Sequence, residues 1–254
     1  MHILFIGDII GKPGRRAVRA LVPSLRREHA IDLVIANGEN AADGFGITPD
    51  TANEIFDSGV DVITTGGHIW DRKEVVPYID EEACLLRPLN YPPGVPGNGY
   101  QRVGDVTVVN IMGRVFIGSL DCPFRAMDAL LEGFSGPPLI VVDFHAEATS
   151  EKEALGWYLD GRVSVVVGTH THVATADCRI LPKGTAYVTD LGMVGPINSI
   201  IGSNPDDVLA RFLYQTPRRL GVSGGPVRFN SVFVDVDNET GRAKNIQRVD
   251  KVTE

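Results

Sequence analysis

The chain has 254 residues, 43% of them hydrophobic and 7% aromatic, enough to bury a sizeable core, and carries a formal net charge of -8. That charge excludes a broad nucleic-acid-binding surface, because no basic field is available to neutralise a phosphate backbone. The longest apolar runs, Leu139 to Val142 and Val163 to Val167, fall far short of the roughly 18 apolar residues of a spanning helix, which excludes an α-helical transmembrane segment.

One domain over residues 1–254 is expected. In chain order, β-branched runs recur at Ile3 to Ile6, Leu33 to Ala36, Val60 to Thr64, Leu139 to Phe144 and Val163 to Val167. Each ends near Gly, Asp, Asn or His, and most are followed by a helical pattern. Near-continuous apolar strands belong to sheets covered on both faces, so the class is α/β. Asp8 interrupts the apolar N-terminus and no basic stretch precedes it, so no secretory signal is expected and the cytoplasm is the expected location.

Arg15, Arg16, Arg19, Arg26 and Arg27 cluster on the first helical pattern and read as a solvated face. Thr48 with Pro49 marks a capped helix start, and Ser150 with Glu153 matches a capping box. Turn signals at Gly104-Asp105 and at Asn238 to Gly241 predict antiparallel hairpins, so the sheets should be mixed. Pro88 to Gly99 reads as a surface loop. Cys84, Cys122 and Cys178 are an odd number without a CxxC pair, which points to separate thiols rather than a disulfide framework or thiolate zinc site.

In α/β proteins ligands gather beyond the carboxyl ends of the strands. The residues that follow the apolar runs here are Gly7-Asp8, Asn37-Gly38-Glu39-Asn40, Gly66-Gly67-His68, His145 and Gly168-Thr169-His170-Thr171-His172, which include four of the six histidines. Carboxylates and imidazoles without cysteine are the donor set of iron, manganese, zinc or cobalt. His170 and His172 are two apart, so in an extended segment both rings project from one side and could serve two adjacent ions. A pair of ions roughly 3.5–4 Å apart suits phosphate-ester hydrolysis by in-line displacement. A P-loop is excluded because Ile6 stands where its first glycine should be, and neither a Gly-x-Ser-x-Gly elbow nor a dinucleotide fingerprint is present. His2 and His29 read as surface residues.

The order GD, NGEN, GGH, H, GTHTH resembles the calcineurin-like metallophosphoesterase superfamily. The stretches ILFIGDIIGKPGR, VIANGENAADGFGIT, HIWDRKE, RPLNYPPGVPG, FHAEATSEK and VVGTHTHV look like its YmdB-type bacterial branch over nearly the whole chain. The resemblance implies a four-layer αββα sandwich of two mixed sheets flanked by helices, a homo-oligomer, and phosphodiesterase activity on 2′,3′-cyclic nucleotides. Two metal ions are implied, iron or manganese ahead of zinc. By motif, Asp8, Asn40 and His172 would hold the first ion, Glu39 would bridge, and His145 and His170 would hold the second. His68, beside the ions, would be the general acid, with a bridging hydroxide as nucleophile.

Two departures qualify the resemblance. The superfamily motif is Gly-Asn-His, with the asparagine on the second ion, whereas this chain has Gly66-Gly67-His68, and weaker occupancy of the second site is expected. A histidine usual two residues after the first aspartate is Ile10 here, as in the YmdB-type branch, and Asn40 compensates as a neutral oxygen ligand. Two alternatives remain at this point: a phosphomonoesterase or nucleotidase of the same fold, and a regulatory nucleotide-binding protein with an impaired second site. The Asn90 to Gly99 loop and the Gly192 to Gly202 loop, with Asn198 and Ser199, are candidate pocket walls without assigned substrate contacts.

Overall fold

In the computed structural model, which describes residues 1–134 and 139–254, the chain runs β1 (His2–Ile6), β2 (Asp8–Ile9), α1 (Gly11–Glu28), β3 (Leu33–Asn37), α2 (Pro49–Asp57), β4 (Val62–Thr64), α3 (Val75–Glu81), β5 (Tyr100–Val103), β6 (Val106–Met112) and α4 (Pro123–Leu131). It continues through β7 (Leu139–His145), α5 (Thr149–Leu159), β8 (Val165–Thr169), β9 (Arg179–Ile180), β10 (Ala186–Val188), β11 (Met193–Pro196), α6 (Pro205–Tyr214), β12 (Val227–Phe229), β13 (Ser231–Val236), β14 (Ala243–Arg248) and β15 (Lys251–Thr253). A short 3-10 turn, Gly67–Asp71, follows β4.

Two mixed sheets dominate, with strand orders β14-β13-β1-β3-β4 and β5-β6-β7-β8-β10-β9. In the first, β1, β3 and β4 are parallel and β13 is antiparallel to β1; in the second, β6, β7, β8 and β10 are parallel and both edge strands are antiparallel. The period-2 alternation of side chains sorts each strand between two cores. Ile3, Phe5, Leu33 and Ile35 meet Val108, Val141, Val165 and Val188 between the sheets. Leu4, Ile6, Val34 and Ala36 face the other way onto Val18, Val22 and Leu25 of α1 and Ile55 of α2. On the far side, Ile111, Val142 and Phe144 pack on Met127 of α4 and Leu155 and Leu159 of α5. The result is the four-layer αββα sandwich expected from the sequence.

A third, four-stranded sheet, β15-β12-β11-β2, was not foreseen. Its strands are short, and their pairing depends on β2 and β11 meeting from opposite ends of the chain, which no local pattern announces.

Several local readings hold and others shift. Thr48 caps α2, its hydroxyl accepting from the Thr51 amide and the Thr51 hydroxyl accepting from the Thr48 amide, with Pro49 next. Both expected hairpins form, as β5–β6 and β13–β14. The Ser150–Glu153 capping box does not: α5 starts at Thr149 behind Ala148, which makes no side-chain cap, so Ser150 already lies inside the helix. The run read as Val163 to Val167 pairs as Val165–Thr169, and that read as Val60 to Thr64 as Val62–Thr64. The arginine cluster is only partly solvated: Arg16, Arg19 and Arg27 are exposed, but Arg15 pairs with Glu54 at 2.6 Å and Arg26 with Asp61 at 3.0 Å. His2 and His29 are half-buried with their rings against Phe233. All three cysteines are half-buried free thiols. No described helix is long and apolar enough to cross a membrane.

Candidate metal centre

The ends of β1, β3, β4, β7 and β8 deliver Asp8, Glu39, Asn40, His68, His145, His170 and His172 to one place, as their order after the apolar runs leads one to expect. Asp8, Glu39, Asn40 and His145 are all at most 3% exposed. The donor atoms of Glu39, His145 and His170 lie within 4.8 Å of one another. Beside them, Asp8 Oδ1 lies 3.8 Å from His172 Nε2, and the Asn40 amide nitrogen is 3.2 Å from the same Nε2 and 3.3 Å from Glu39 Oε1.

Each imidazole is oriented by a bond on its outer nitrogen, which leaves the inner one for the shared space. His145 Nδ1 donates to the Thr169 hydroxyl (3.0 Å), which in turn donates to Asp143 (2.7 Å). His172 Nδ1 donates to the Ile201 carbonyl (2.9 Å). His170 is turned the other way: Nε2 donates to Glu147 (3.1 Å), and Nδ1 faces His145 Nε2 at 2.9 Å. His68 Nδ1 donates to Asp71 (2.8 Å), leaving Nε2 as its free nitrogen. Such outer partners fix tautomer and ring plane in metal-binding histidines.

The segment carrying His170 and His172 is not extended, contrary to the sequence reading. Both residues have left-handed backbone, φ 100° and 64°, so the two rings part, one toward His145 and the other toward Asp8. Left-handed backbone at non-glycine residues is costly and gathers at functional sites. Asp190 holds the turn: its Oδ2 accepts from the Thr171 amide (3.2 Å) and hydroxyl (2.8 Å), and its Oδ1 from the Gly192 amide (2.7 Å). Lys152 Nζ, buried, lies 2.6 Å from the same Oδ2.

The electrostatics favour a cation. Burial pushes the Asp8 carboxyl up to about 6 despite the neighbouring His172 and His145. Burial also acts against a charged Glu39, but His145, His68 and His170 outweigh it and bring it down to about 2. His145 resists its own burial through Glu39, Asp8 and Asp143 and rises to about 9, whereas burial and the facing His145 hold His170 down to about 3. A proton on His145 thus sits where two carboxylates and a second imidazole converge. Asp8 Oδ1, fully buried, has no hydrogen-bond partner among the described residues. An orphaned buried carboxylate oxygen beside inward-facing imidazole nitrogens is what a metal site requires, so the residues fit the implied ions.

The two glycines before His68 differ. A Cβ on Gly66 would collide with the His145 ring and the Glu39 carboxylate, while one on Gly67 would meet only Met112 Sδ at 3.8 Å. Gly66 is therefore fixed by the crowded cluster, and Gly67 faces open space.

Two cavities of about 310 Å³ each flank the cluster and share Glu39, His68 and His170. The first is walled by Phe45, Ile201, Ser203, Leu220 and Val222, the second by Gly67, Met112, Phe116 and Ile117. Of the loops singled out from sequence, the Gly192 to Gly202 loop supplies Ile201 to the first cavity's wall and its carbonyl to His172, whereas Asn90 is buried and bonds to the backbone of Met112 and Asp121, and the Ser199 hydroxyl donates to the Pro196 carbonyl. No role was assigned from sequence to Asp71, Glu147, Lys152 or Asp190, of which Asp71 stands three residues from His68 and Glu147 two from His145, while Lys152 and Asp190 are distant in the chain from any singled-out histidine.

The model of the YmdB-like protein family matches residues 4–249. A 2′,3′-cyclic-nucleotide 2′-phosphodiesterase of Bacillus subtilis (strain 168) is 48% identical over 254 residues, covering 98% of this chain and 96% of that protein. Among solved structures, a hypothetical protein from Thermus thermophilus superposes with a TM-score of 0.94 at 46% identity, covering 100% of both chains. A phosphatase from Mycoplasma pneumoniae superposes with a TM-score of 0.93 at 33% identity, covering 99% of this chain and 93% of that one.

Proposed function

The chain belongs to the YmdB-like family, and on that premise we propose that it is a metal-dependent phosphodiesterase that hydrolyses 2′,3′-cyclic nucleotides. The observation that carries this reading is the inward set of His145 Nε2, His170 Nδ1 and His172 Nε2, each fixed by a bond on its other nitrogen, around Glu39 and the unpartnered Asp8 Oδ1.

In this reading Asp8, Asn40 and His172 would hold one ion, His145 and His170 would hold a second, and Glu39 would serve both. Asn40 now turns its amide nitrogen toward the cluster, so as a ligand it presents its oxygen after the amide turns over. Iron or manganese suits this mixture of carboxylate, amide oxygen and imidazole better than zinc. When bound, the ions supply Lewis-acid charge for the phosphoryl group and for activating water.

The remaining work belongs to the chain. Asp71 holds the His68 ring by its Nδ1, so Nε2 is the atom that carries a proton to the departing ribose oxygen. The Glu39 carboxylate accepts from the His68 amide at 3.2 Å, tying the proton donor to the cluster. The buried setting of Asp8, Glu39 and His145 keeps water from screening charge that develops there. The test is hydrolysis of 2′,3′-cyclic AMP followed by phosphorus NMR. A single monophosphate product, abolished by chelator and restored by manganese, is expected. Turnover of p-nitrophenyl phosphate but of no cyclic nucleotide would replace the reading with a phosphomonoesterase.

A further inference from the structure

The second cavity beside the cluster contains an exposed aromatic ring that nothing in the fold uses. Phe116 is 89% exposed and has left-handed backbone, φ 65°. An aromatic ring left in water forgoes the burial that normally stabilises it, and left-handed backbone at phenylalanine adds strain. The loop that carries it is braced. Glu151, itself buried, accepts from the backbone amides of Arg114 (3.0 Å) and Val115 (3.1 Å), and a Cβ on Gly113 would crowd against that carboxylate. The chain thus fixes the loop from below and leaves the ring uncovered above.

Phe116 lines the same cavity as His68, His145 and His170, with Met112 and Ile117 beside it and Gly67 as an open floor. Phe45, in the other cavity, already packs edge-on against His68 at 5.3 Å and is far less exposed. We propose that the Met112–Phe116–Ile117 shelf is a nucleobase subsite, in which the base of the substrate stacks on Phe116 while its phosphate lies at the cluster. This rests on the phosphodiesterase reading above and adds the part of the substrate that the metal site does not touch. Among the described residues, every polar side chain that lines this cavity belongs to the cluster or is His68, so no further side-chain donor or acceptor is at hand to read a base edge. The subsite is therefore base-tolerant: stacking needs only a π face, which every base has.

The experiment compares wild type with Phe116→Ala and Phe116→Trp on 2′,3′-cyclic AMP and on glycerol 1,2-cyclic phosphate, which has the same five-membered ring and no base. Phe116→Ala should lower the preference for the nucleotide by about tenfold or more, through KM rather than kcat, and Phe116→Trp should restore it. An equal loss on both esters, or no loss, overturns the proposal, as does a selective loss in Phe45→Ala in place of Phe116→Ala. Calorimetric binding of 3′-AMP and of inorganic phosphate to manganese-loaded protein gives the same comparison without turnover. Phe116→Ala should weaken 3′-AMP about tenfold more than phosphate. Wild type that binds the two equally overturns the subsite, whereas wild type that hydrolyses neither ester overturns the phosphodiesterase reading and leaves this binding comparison to decide the subsite.

Discussion

Lys152 Nζ lies 2.6 Å from Asp190 Oδ2, both groups are about 1% exposed, and the same oxygen accepts from the backbone amide and the hydroxyl of Thr171. A buried ion pair joins α5 to the turn that separates His170 from His172. Lys152→Met leaves Asp190 buried without its cation, which costs about 3–5 kcal/mol when a buried pair loses one partner. The variant should unfold at clearly lower denaturant and bind manganese more weakly than wild type. A variant of unchanged stability and affinity would show that Thr171 is held without the lysine.

Glu147 orients His170 from outside, by its bond to Nε2. Glu147→Gln keeps the shape but removes the carboxylate, and loss of such an outer partner typically weakens metal binding 10–100-fold. Manganese titration should show that loss with unfolding behaviour close to wild type, because Glu147 is half exposed.

Gly66 and Gly67 should respond in opposite ways. Gly66→Ala drives a methyl group into the His145 ring and the Glu39 carboxylate and should abolish binding of the ion proposed for His145 and His170. Gly67 has room for a side chain, so Gly67→Asn, which supplies the amide present in the wider superfamily, should tighten that ion's binding. Equal affinity before and after Gly67→Asn would refute the expectation that the second site is weakened by the glycine.

The metal-free protein should lose stability as pH rises from about 6.5 to about 9. In that window the folded state keeps a proton on His145, whose pKa is raised from 6.5 to about 9, and the unfolded state does not, so unfolding releases a proton. Asp8 and Glu39 titrate below that window in both states, and His170, held down to about 3 from 6.5 in the folded state, offsets the fall only near the window's lower edge, where the unfolded chain still protonates that ring. The stabilisation is complete below 6.5 and lost above 9. Urea unfolding of chelator-treated protein across this range measures it, and a stability that rises with pH there would contradict it. Ion binding displaces the same proton, so calorimetry in buffers of different ionisation heat should detect its release.

Much of the site was legible because its chemistry-bearing residues follow buried strands in sequence: Asp8, Glu39, Asn40, His68, His145, His170 and His172 each stand just past an apolar run. The same runs gave the α/β class, and the four layers were what the family resemblance implied. What escaped depends on contacts between distant segments. The tautomer-fixing carbonyl of Ile201 and the Lys152–Asp190 pair stand 29 and 38 residues from their partners. The β2–β11 pairing joins the chain's start to residues 193 and 194. The separation of His170 from His172 was misread because strand periodicity was carried past Thr169, where the chain turns left-handed under the hold of Asp190. Arg15 looked solvated because its partner Glu54 lies on another helix.

The most direct measurement is the metal content of the purified protein by elemental analysis, taken together with turnover of 2′,3′-cyclic AMP in added manganese. Near two ions per chain with chelator-sensitive turnover is the predicted result. About one ion per chain and no turnover would contradict a working two-ion phosphodiesterase and leave a nucleotide-binding protein with an impaired site.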